Sequence, residues 1–396
     1  MKKILVIGAA TYQVPAIQRI VNLGNEAYCV DYKEGQPGFA YATGYRVIDV
    51  KEKEKCLKYA QELGVDGVLS WGATLTLSTV SYIGMNMNLL CMPMATSKIS
   101  TSKFLIRKKL TEGGCNTGGE VFEFTSWENV DAKHCSVPFV VKPCDGSGSK
   151  GVYIVKNERD IDKAFLYAFD GARDNKIYVE PYIEGTEYSV EAYVNNSEVY
   201  VYTIVKTEFE WSDDYPVYKQ TTYLGVSKDT EMLITEEVRK AVVALGVNFG
   251  PVNFDIIVSC DDGKPYIIDV GMRNGQNLIA SHIVPYSRGV DELNNSICIC
   301  SGGEASIKPQ KKDYISSRLL IYTPGTIVEI KPYKGLIGHE GIVDIIMRKK
   351  VRDKLPHYET KADICGWVLC KGETPEEASA FADKAWDKLK QYIIIK

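Results

Sequence analysis

Histidine is scarce. The chain of 396 residues holds four, His134, His282, His339 and His357, and their spacing forms no zinc ligand set. Cysteine is plentiful at eleven, yet no Cys-x-x-Cys occurs. Cys298 and Cys300 stand too close for a zinc knuckle, and Cys365 and Cys370 lack a matching pair. An odd count without pattern reads as reduced thiols, and so as a cytoplasmic protein. No apolar run reaches membrane-spanning length. The apolar part of "MKKILVIGAA" is too short for a secretion signal and runs straight into a turn. There is no block of basic residues, and a net charge of −4 with a pI near 5.8 speaks against nucleic acid as the main partner. Repeats and low-complexity tracts are also missing. What remains is a globular chain, 45% hydrophobic and 25% charged, long enough for two or three cores.

The first part reads as βαβ units. "KKILVIGAA" is a buried strand ending in a small-residue turn, "YQVPAIQRIVNLG" has helical spacing, and "EAYCVDYK" is a strand ending at Asp31. "KEKCLKYAQELGVDGVLSW" repeats helix and strand. The first ~95 residues therefore read as a small doubly wound parallel-sheet domain. It lacks a dinucleotide fingerprint, because only Gly8 is present at the first strand end. A scaffold whose loops after Gly8, Asp31 and Trp71 line a substrate pocket fits better. "TSKISTSKFLIRKKLTEGG" reads as one helix ending at Gly113 and Gly114. Strands follow near 119–124, 137–142 and 151–155, then a helix with Asn157 as its N-cap. An antiparallel pair meets at Asn195 and Asn196, a helix starts at Thr235, and a hairpin turns at Asp261 to Gly263. After a closing helix comes a small α+β tail, with strands near 315–323 and 364–370 and a last helix. "TEFEWSDDYPVY" (207–218) is read either as a cover over a site or as an exposed hairpin.

The chemistry begins with "FVVKPCDGSGSKGVYIV", residues 139–155. Gly146, Ser147, Gly148, Ser149 and Gly151 leave backbone N–H groups free to cradle phosphate. This is no P-loop, since it runs from strand to strand and does not open a helix. With Lys142 at the end of the first strand it reads as a lid over phosphates; a surface hairpin fits the same residues. "YVEPYIEGTEYSVE" puts Glu180 at a strand end, then a short crossover whose backbone can read an adenine edge, then Glu187 positioned for ribose hydroxyls. Asp255 and Asp269 fall on the two arms of one hairpin. Pointing the same way, they form a hard-cation site for magnesium with phosphate oxygens as co-ligands; as the other reading, they are two exposed acids on a half-buried sheet. Arg273 lies just beyond and can neutralise a transferring phosphoryl group.

In this order (lysine, glycine lid, hinge, ribose carboxylate, paired acids, arginine) the sequence resembles the ATP-grasp superfamily over nearly its whole length. It is most similar to the carboxylate–amine ligase branch, which includes biotin carboxylase, carbamoyl-phosphate synthetase and the purine-pathway ribonucleotide ligases. The resemblance implies an α/β (α+β) fold with an N-terminal doubly wound domain at 1–97. An ATP-grasp domain follows at 98–305, its glycine-lid lobe at about 120–172, and a small C-terminal α+β domain at 306–396. It implies ATP with Mg2+ (or Mn2+) as cofactors, Lys103 and Lys142 as ATP lysines, and Glu180 with the Ile183 backbone as the adenine hinge. It further implies Glu187 on ribose and Asp255 and Asp269 on metal. One departure stands out. The family writes acid-x-Asn-x-Arg, whereas here Gly271 stands at the Asn position, with Asn253 or Asn274 as substitutes.

The implied reaction is ADP-forming ligation. A small carboxylate is phosphorylated to an acyl phosphate, which an amine or other nucleophile attacks, with Arg273 and Lys142 as the catalytic residues. Arg273, His282 and Arg288 are candidates for holding the substrate carboxylate, and His282 is equally read as a helix-surface residue. The alternatives are a bicarbonate-activating carboxylase or carbamoyl-phosphate-type enzyme, and a non-catalytic ATP-binding regulatory protein. The partners expected are ATP, a small carboxylate and an amine, with a homodimer as one possible assembly and neither nucleic acid nor membrane.

Overall fold

The computed structural model describes residues 1–396 apart from 127–135, 146–149, 213–214, 223–225, 276–277 and 359–362; for the rest of 209–225 it describes the backbone alone. The chain opens with β1 (Lys3–Ile7), α1 (Val14–Asn22), β2 (Glu26–Asp31), β3 (Gly44–Val47), α2 (Lys53–Leu63), β4 (Gly67–Leu69) and α3 (Leu77–Met87). The four strands form a parallel sheet in the order β3-β2-β1-β4. β1 is apolar at four successive positions because both of its faces are covered. Ile4 and Val6 pack on α1 through Ile17 and Ile20, while Leu5 and Ile7 pack on α2 and α3 through Tyr59, Val80 and Ile83.

The expected single helix up to Gly113 is two helices, α4 (Met94–Ile99) and α5 (Lys103–Glu112). Ser102 breaks it: its backbone is extended, and its Oγ accepts from Leu105 N at 3.3 Å as an N-cap. Lys103 thereby becomes the first residue of α5.

Next come β5 (Phe122–Phe124), β6 (Phe139–Pro143), β7 (Tyr153–Val155), α6 (Ile161–Gly171) and β8 (Ile177–Pro181). They form an antiparallel sheet in the order β5-β8-β6-β7, covered by Ala164, Phe165 and Ala168 of α6. Asn157 is not a side-chain cap; a short 3₁₀ turn, Glu158–Asp160, intervenes before α6.

The largest sheet starts with β9 (Gly185–Asn195) and β10 (Glu198–Ser212), joined by Asn196 and Ser197 at φ 50° and 66° in a twist-compatible hairpin turn. β11 (Tyr215–Thr222), α7 (Lys228–Leu245), β12 (Phe249–Ser259) and β13 (Pro265–Gly271) follow. α7 begins well before the expected Thr235, because Ser227 Oγ caps Thr230 N at 3.1 Å. Its Ile234, Val238 and Val242 pack on Val190, Phe254 and Ile256 of the sheet.

The remaining elements are α8 (Val284–Arg288), α9 (Glu292–Cys300), β14 (Tyr314–Leu320), β15 (Gly325–Ile330), β16 (Ile342–Met347), β17 (Lys354–Leu355), β18 (Gly366–Gly372), α10 (Pro375–Leu389) and β19 (Ile393–Ile395). β14, β18 and β16 extend the large sheet to eight strands, β13-β12-β9-β10-β11-β14-β18-β16. One sheet thus runs across the division drawn at 305/306. Of the segment 207–218, residues 207–212 lie on β10 and 215–218 on β11, two paired strands of this sheet. Among the described residues no helix is long and apolar enough to cross a membrane.

Candidate active site

The site is built on the β12–β13 hairpin. Phe254 and Ile256 are fully buried, so alternation turns Asp255 to the opposite face. Asp255 pairs in register with Asp269, and directly opposed residues project to the same side. The sheet therefore places the two carboxylates together. Ser189 on β9, also in register with Asp255, donates its hydroxyl to Asp255 Oδ1 at 2.5 Å. Lys103 Nζ pairs with Asp269 Oδ2. The start of α5 is fixed by Lys103 N donating to Cys144 O at 2.8 Å, just past β6. Burial by itself would raise the Asp269 carboxyl, but Lys103, Lys142 and Arg273 outweigh it and hold the group below the usual carboxylate range. Asp269 stays ionised, as a cation ligand must. Among the described residues no three His, Cys, Asp or Glu side chains group to hold a metal. Two carboxylates fit one hard cation that takes its other ligands from phosphate and water.

A second cluster lies beside the first. Lys142 Nζ pairs with Glu180 Oε1, and Arg107 Nε stands 3.0 Å from Glu180 Oε2. Arg107 is 2% exposed and also donates to Ile267 O and, at 2.6 Å, to Thr117 O. Sequence reasoning missed it, because "LIRKKL" reads as a solvated helix face. Its only signal is the spacing from Lys103, one turn away on the same side of α5.

The other candidates are placed as follows. Ile183 lies between β8 and β9, its Cδ1 against Gly118, and Glu187 is half-buried in register with Ile257. Gly151 has φ +75°, and a Cβ there would come 2.7 Å from Pro143 Cγ, so close packing as well as conformation requires glycine. Gly146, Ser147, Gly148 and Ser149 lie outside the described residues. His282 sits on a wide helical turn, Ile279–Ile283, and Arg288 ends α8. Burial lowers the His282 pKa, with Asp344 opposing; Tyr286 donates to that Asp344 at 3.3 Å. In the N-terminal sheet, Asp31 accepts from Ala9 N at 2.7 Å and Gln36 Nε2 at 3.0 Å. The turn after β1 therefore spends its Ala9 N–H on the protein itself, in keeping with the missing dinucleotide fingerprint.

Arg273 follows β13 and folds back over Gly271. A Cβ at Gly271 would lie 3.3 Å from the Arg273 Cζ, so the guanidinium occupies the space of the absent Asn side chain. Asn253 Nδ2 donates to Glu191 Oε2 at 3.1 Å and Asn274 Nδ2 donates to Glu292, so both amide nitrogens are engaged with buried carboxyls.

Those carboxyls were not foreseen. Glu191 and Glu292 are fully buried neighbours. Burial pushes Glu191 up to about 7, against the pull of Gly275 N–H, Asn253 and Arg273; burial and then Glu191 push Glu292 well up. A folded-state pKa above the unfolded value means that the folded protein holds the extra proton. The stability it lends is full below the unfolded carboxyl pKa and is lost as pH rises through about 7. Glu191→Gln is therefore expected to flatten the fall of the melting midpoint between about pH 5 and 8. Thermal melts across that range, run beside wild type, check it; an unchanged slope counts against the shared proton.

The chain is similar to known proteins in sequence and in fold. Residues 135–281 match the ATP-grasp domain model, and 318–393 match the L-amino acid ligase C-terminal domain 2 model; together they take in more than half of the chain. The chain carries an ATP-grasp domain at residues 135–281. It is 31% identical over 154 residues to D-alanine–D-alanine ligase of Flavobacterium psychrophilum, covering 37% of this chain and 45% of that one. It is 23% identical over 269 residues to dapdiamide A synthase of Enterobacter agglomerans, covering 62% and 60%. The chain thus spans about half the length of the curated relatives it matches. The crystal structure of L-amino acid ligase from Bacillus licheniformis superposes with a TM-score of 0.81 at 21% identity, covering 100% and 99% of the two chains, and so shares the fold.

Proposed function

We propose that this chain is an ATP-dependent, ADP-forming ligase that activates the carboxylate of an amino acid as an acyl phosphate and passes it to an amine. The observation that carries this reading is the convergence of Lys103, Asp255, Asp269 and Arg273 on one face of one hairpin. The names of the relatives, D-alanine–D-alanine ligase and L-amino acid ligase, support an amino acid as the substrate class.

A carboxylate is a poor electrophile, so the chain's task is positioning and charge neutralisation. Asp255 and Asp269 would hold Mg2+, which when bound screens phosphate charge. Lys103 moves from Asp269 to phosphate oxygens when nucleotide enters, and Lys142 reaches from Glu180 toward them. Glu180 and the backbone of Ile183 face adenine, and Glu187 faces ribose. Arg273 stabilises the transferring group and the acyl phosphate. Gly146, Ser147, Gly148, Ser149 and Gly151 are proposed to bind phosphate through their backbone N–H groups. His282 and Arg288, on the segment beyond Arg273, take part in substrate binding. The division into 1–97, 98–305 and 306–396 belongs to the same proposal. Retention of both acids and of Arg273 favours catalysis over a purely regulatory ATP-binding role.

The test is ADP release from Mg-ATP against a panel of amino acids, with and without added amines. ADP is expected with one acid or a narrow set, and product only when an amine is present. ATP that neither raises the melting temperature nor turns over defeats the proposal. ADP with bicarbonate alone would move it to the carboxylase class.

A further inference from the structure

Glu191 and Glu292 touch neither of the metal-facing carboxylates, and the mechanism above gives them no part. Their contacts nevertheless lead directly to Arg273. Both Glu191 oxygens accept from Gly275 N, at 2.8 and 2.9 Å. A Cβ on Gly275 would lie 2.2 Å from Glu191 Oε2, so only glycine lets that peptide come so close. Glu292, the residue next to Asp291, whose ion pair with Arg19 ties α9 to α1, holds the Asn274 side chain through Oε1. Asn274 O in turn accepts from Arg273 Nη1 at 2.7 Å, and the guanidinium is laid over Gly271. The sequence Arg273-Asn274-Gly275 is thus gripped at each residue after the arginine, from β9 on one side and from α9 on the other.

The pair is also closed electrically. Glu292 Oε2 is buried and has no hydrogen-bond donor among the described residues, and the Glu191 carboxyl is its neighbouring acid. Two carboxylates in such a place repel; with one proton between them the orphan oxygen is satisfied. The charged and titratable groups facing them are Arg273, Asp291, Tyr193 and Tyr202.

We infer that Glu191 and Glu292 are positioning residues that fix the Asn274–Gly275 backbone and thereby aim the Arg273 guanidinium at the transferring phosphoryl group. This rests on the ligase reading for its catalytic half, while its structural half stands by itself. Glutamine at either position reproduces the singly protonated pair: its oxygen accepts from Gly275 N or Asn274, and its amide supplies the missing donor.

The experiment compares wild type, Glu191→Gln, Glu191→Ala and Asn274→Ala. Amide hydrogen exchange is measured on peptides covering 273–275, and steady-state ADP release yields kcat and the KM for ATP. Glu191→Gln should keep the exchange rate and stay within about twofold of wild-type kcat. Glu191→Ala should exchange faster at Gly275 and lose about 10²-fold in kcat, with the KM for ATP nearly unchanged, because a misaimed arginine spoils alignment without touching the nucleotide. Asn274→Ala should show the same split more weakly, and it serves if Glu191→Ala does not fold. The inference is overturned if Glu191→Ala leaves exchange and kcat as they were, if Glu191→Gln is as damaging as alanine, or if the KM for ATP rises in step with the loss of kcat. A wild-type protein that releases no ADP with any acid sinks the ligase reading and the aiming role, while the exchange data still decide whether the pair fixes the loop.

Discussion

Asp269→Asn is expected to lower ADP release about 10³-fold, as removal of a key charge-stabilising group does at other phosphoryl and acyl centres. The amide keeps the size of the side chain and loses its charge. It binds a divalent cation poorly, and Lys103 and Arg273, which both face this carboxylate, lose the charge that gathers them. The Mg2+ dependence of residual activity should shift to higher concentration. The fold should persist, since Asp269 is about a third exposed and Lys103 about a fifth, and an ion pair in that setting contributes little stability. Magnesium titrations of ADP release, with circular dichroism as the control for folding, decide the matter. Activity within about tenfold of wild type would remove Asp269 from the metal site.

Arg107→Ala is the substitution with the largest expected effect on stability. The guanidinium is fully enclosed and serves Glu180, Ile267 O and Thr117 O together. Its removal leaves Glu180, 3% exposed, with Lys142 alone, and strands two carbonyls. Breaking a buried ion pair from one side costs about 3–5 kcal/mol. For a unit of this size that is a fall of roughly 10 °C in the first melting transition. Lysine should not rescue, because its point charge cannot serve three acceptors in a fork. A shift under about 3 °C would show that water takes over the role of the guanidinium. The same variant should weaken ATP protection against melting if Glu180, on β8, has the proposed adenine-hinge role.

What was legible in the sequence is what local pattern controls. The continuous apolar run at Ile4–Ile7 announces a strand covered on both faces, and Asp255 and Asp269 stand out because acids interrupt apolar strands. Lys103 and Lys142 were legible by order along the chain. Arg107 was not, because a helix shows its buried charge only when the other wall is known. Glu191 alternates with Ser189 and Glu187 on β9, which reads as one polar face; that Glu292, on a distant helix, closes over it is a long-range fact without a local signature. The break at Ser102 is visible in retrospect, since serine just before Lys103 is a capping signal. The eight-strand sheet was hidden for a related reason: strand partners separated by a hundred residues leave no periodicity to read.

That sheet has a consequence for how the molecule could be divided. β14 hydrogen-bonds to β11 at Gln220–Thr222, and β18 and β16 continue outward from it. A chain ending at 305 would present this flank of β11 as an open edge, and bare strand edges recruit other chains. The residues after 305 are thus the selvage of the large sheet. They keep its unfinished border from stitching to a neighbour, in the same cloth whose opposite hem is the β12–β13 hairpin.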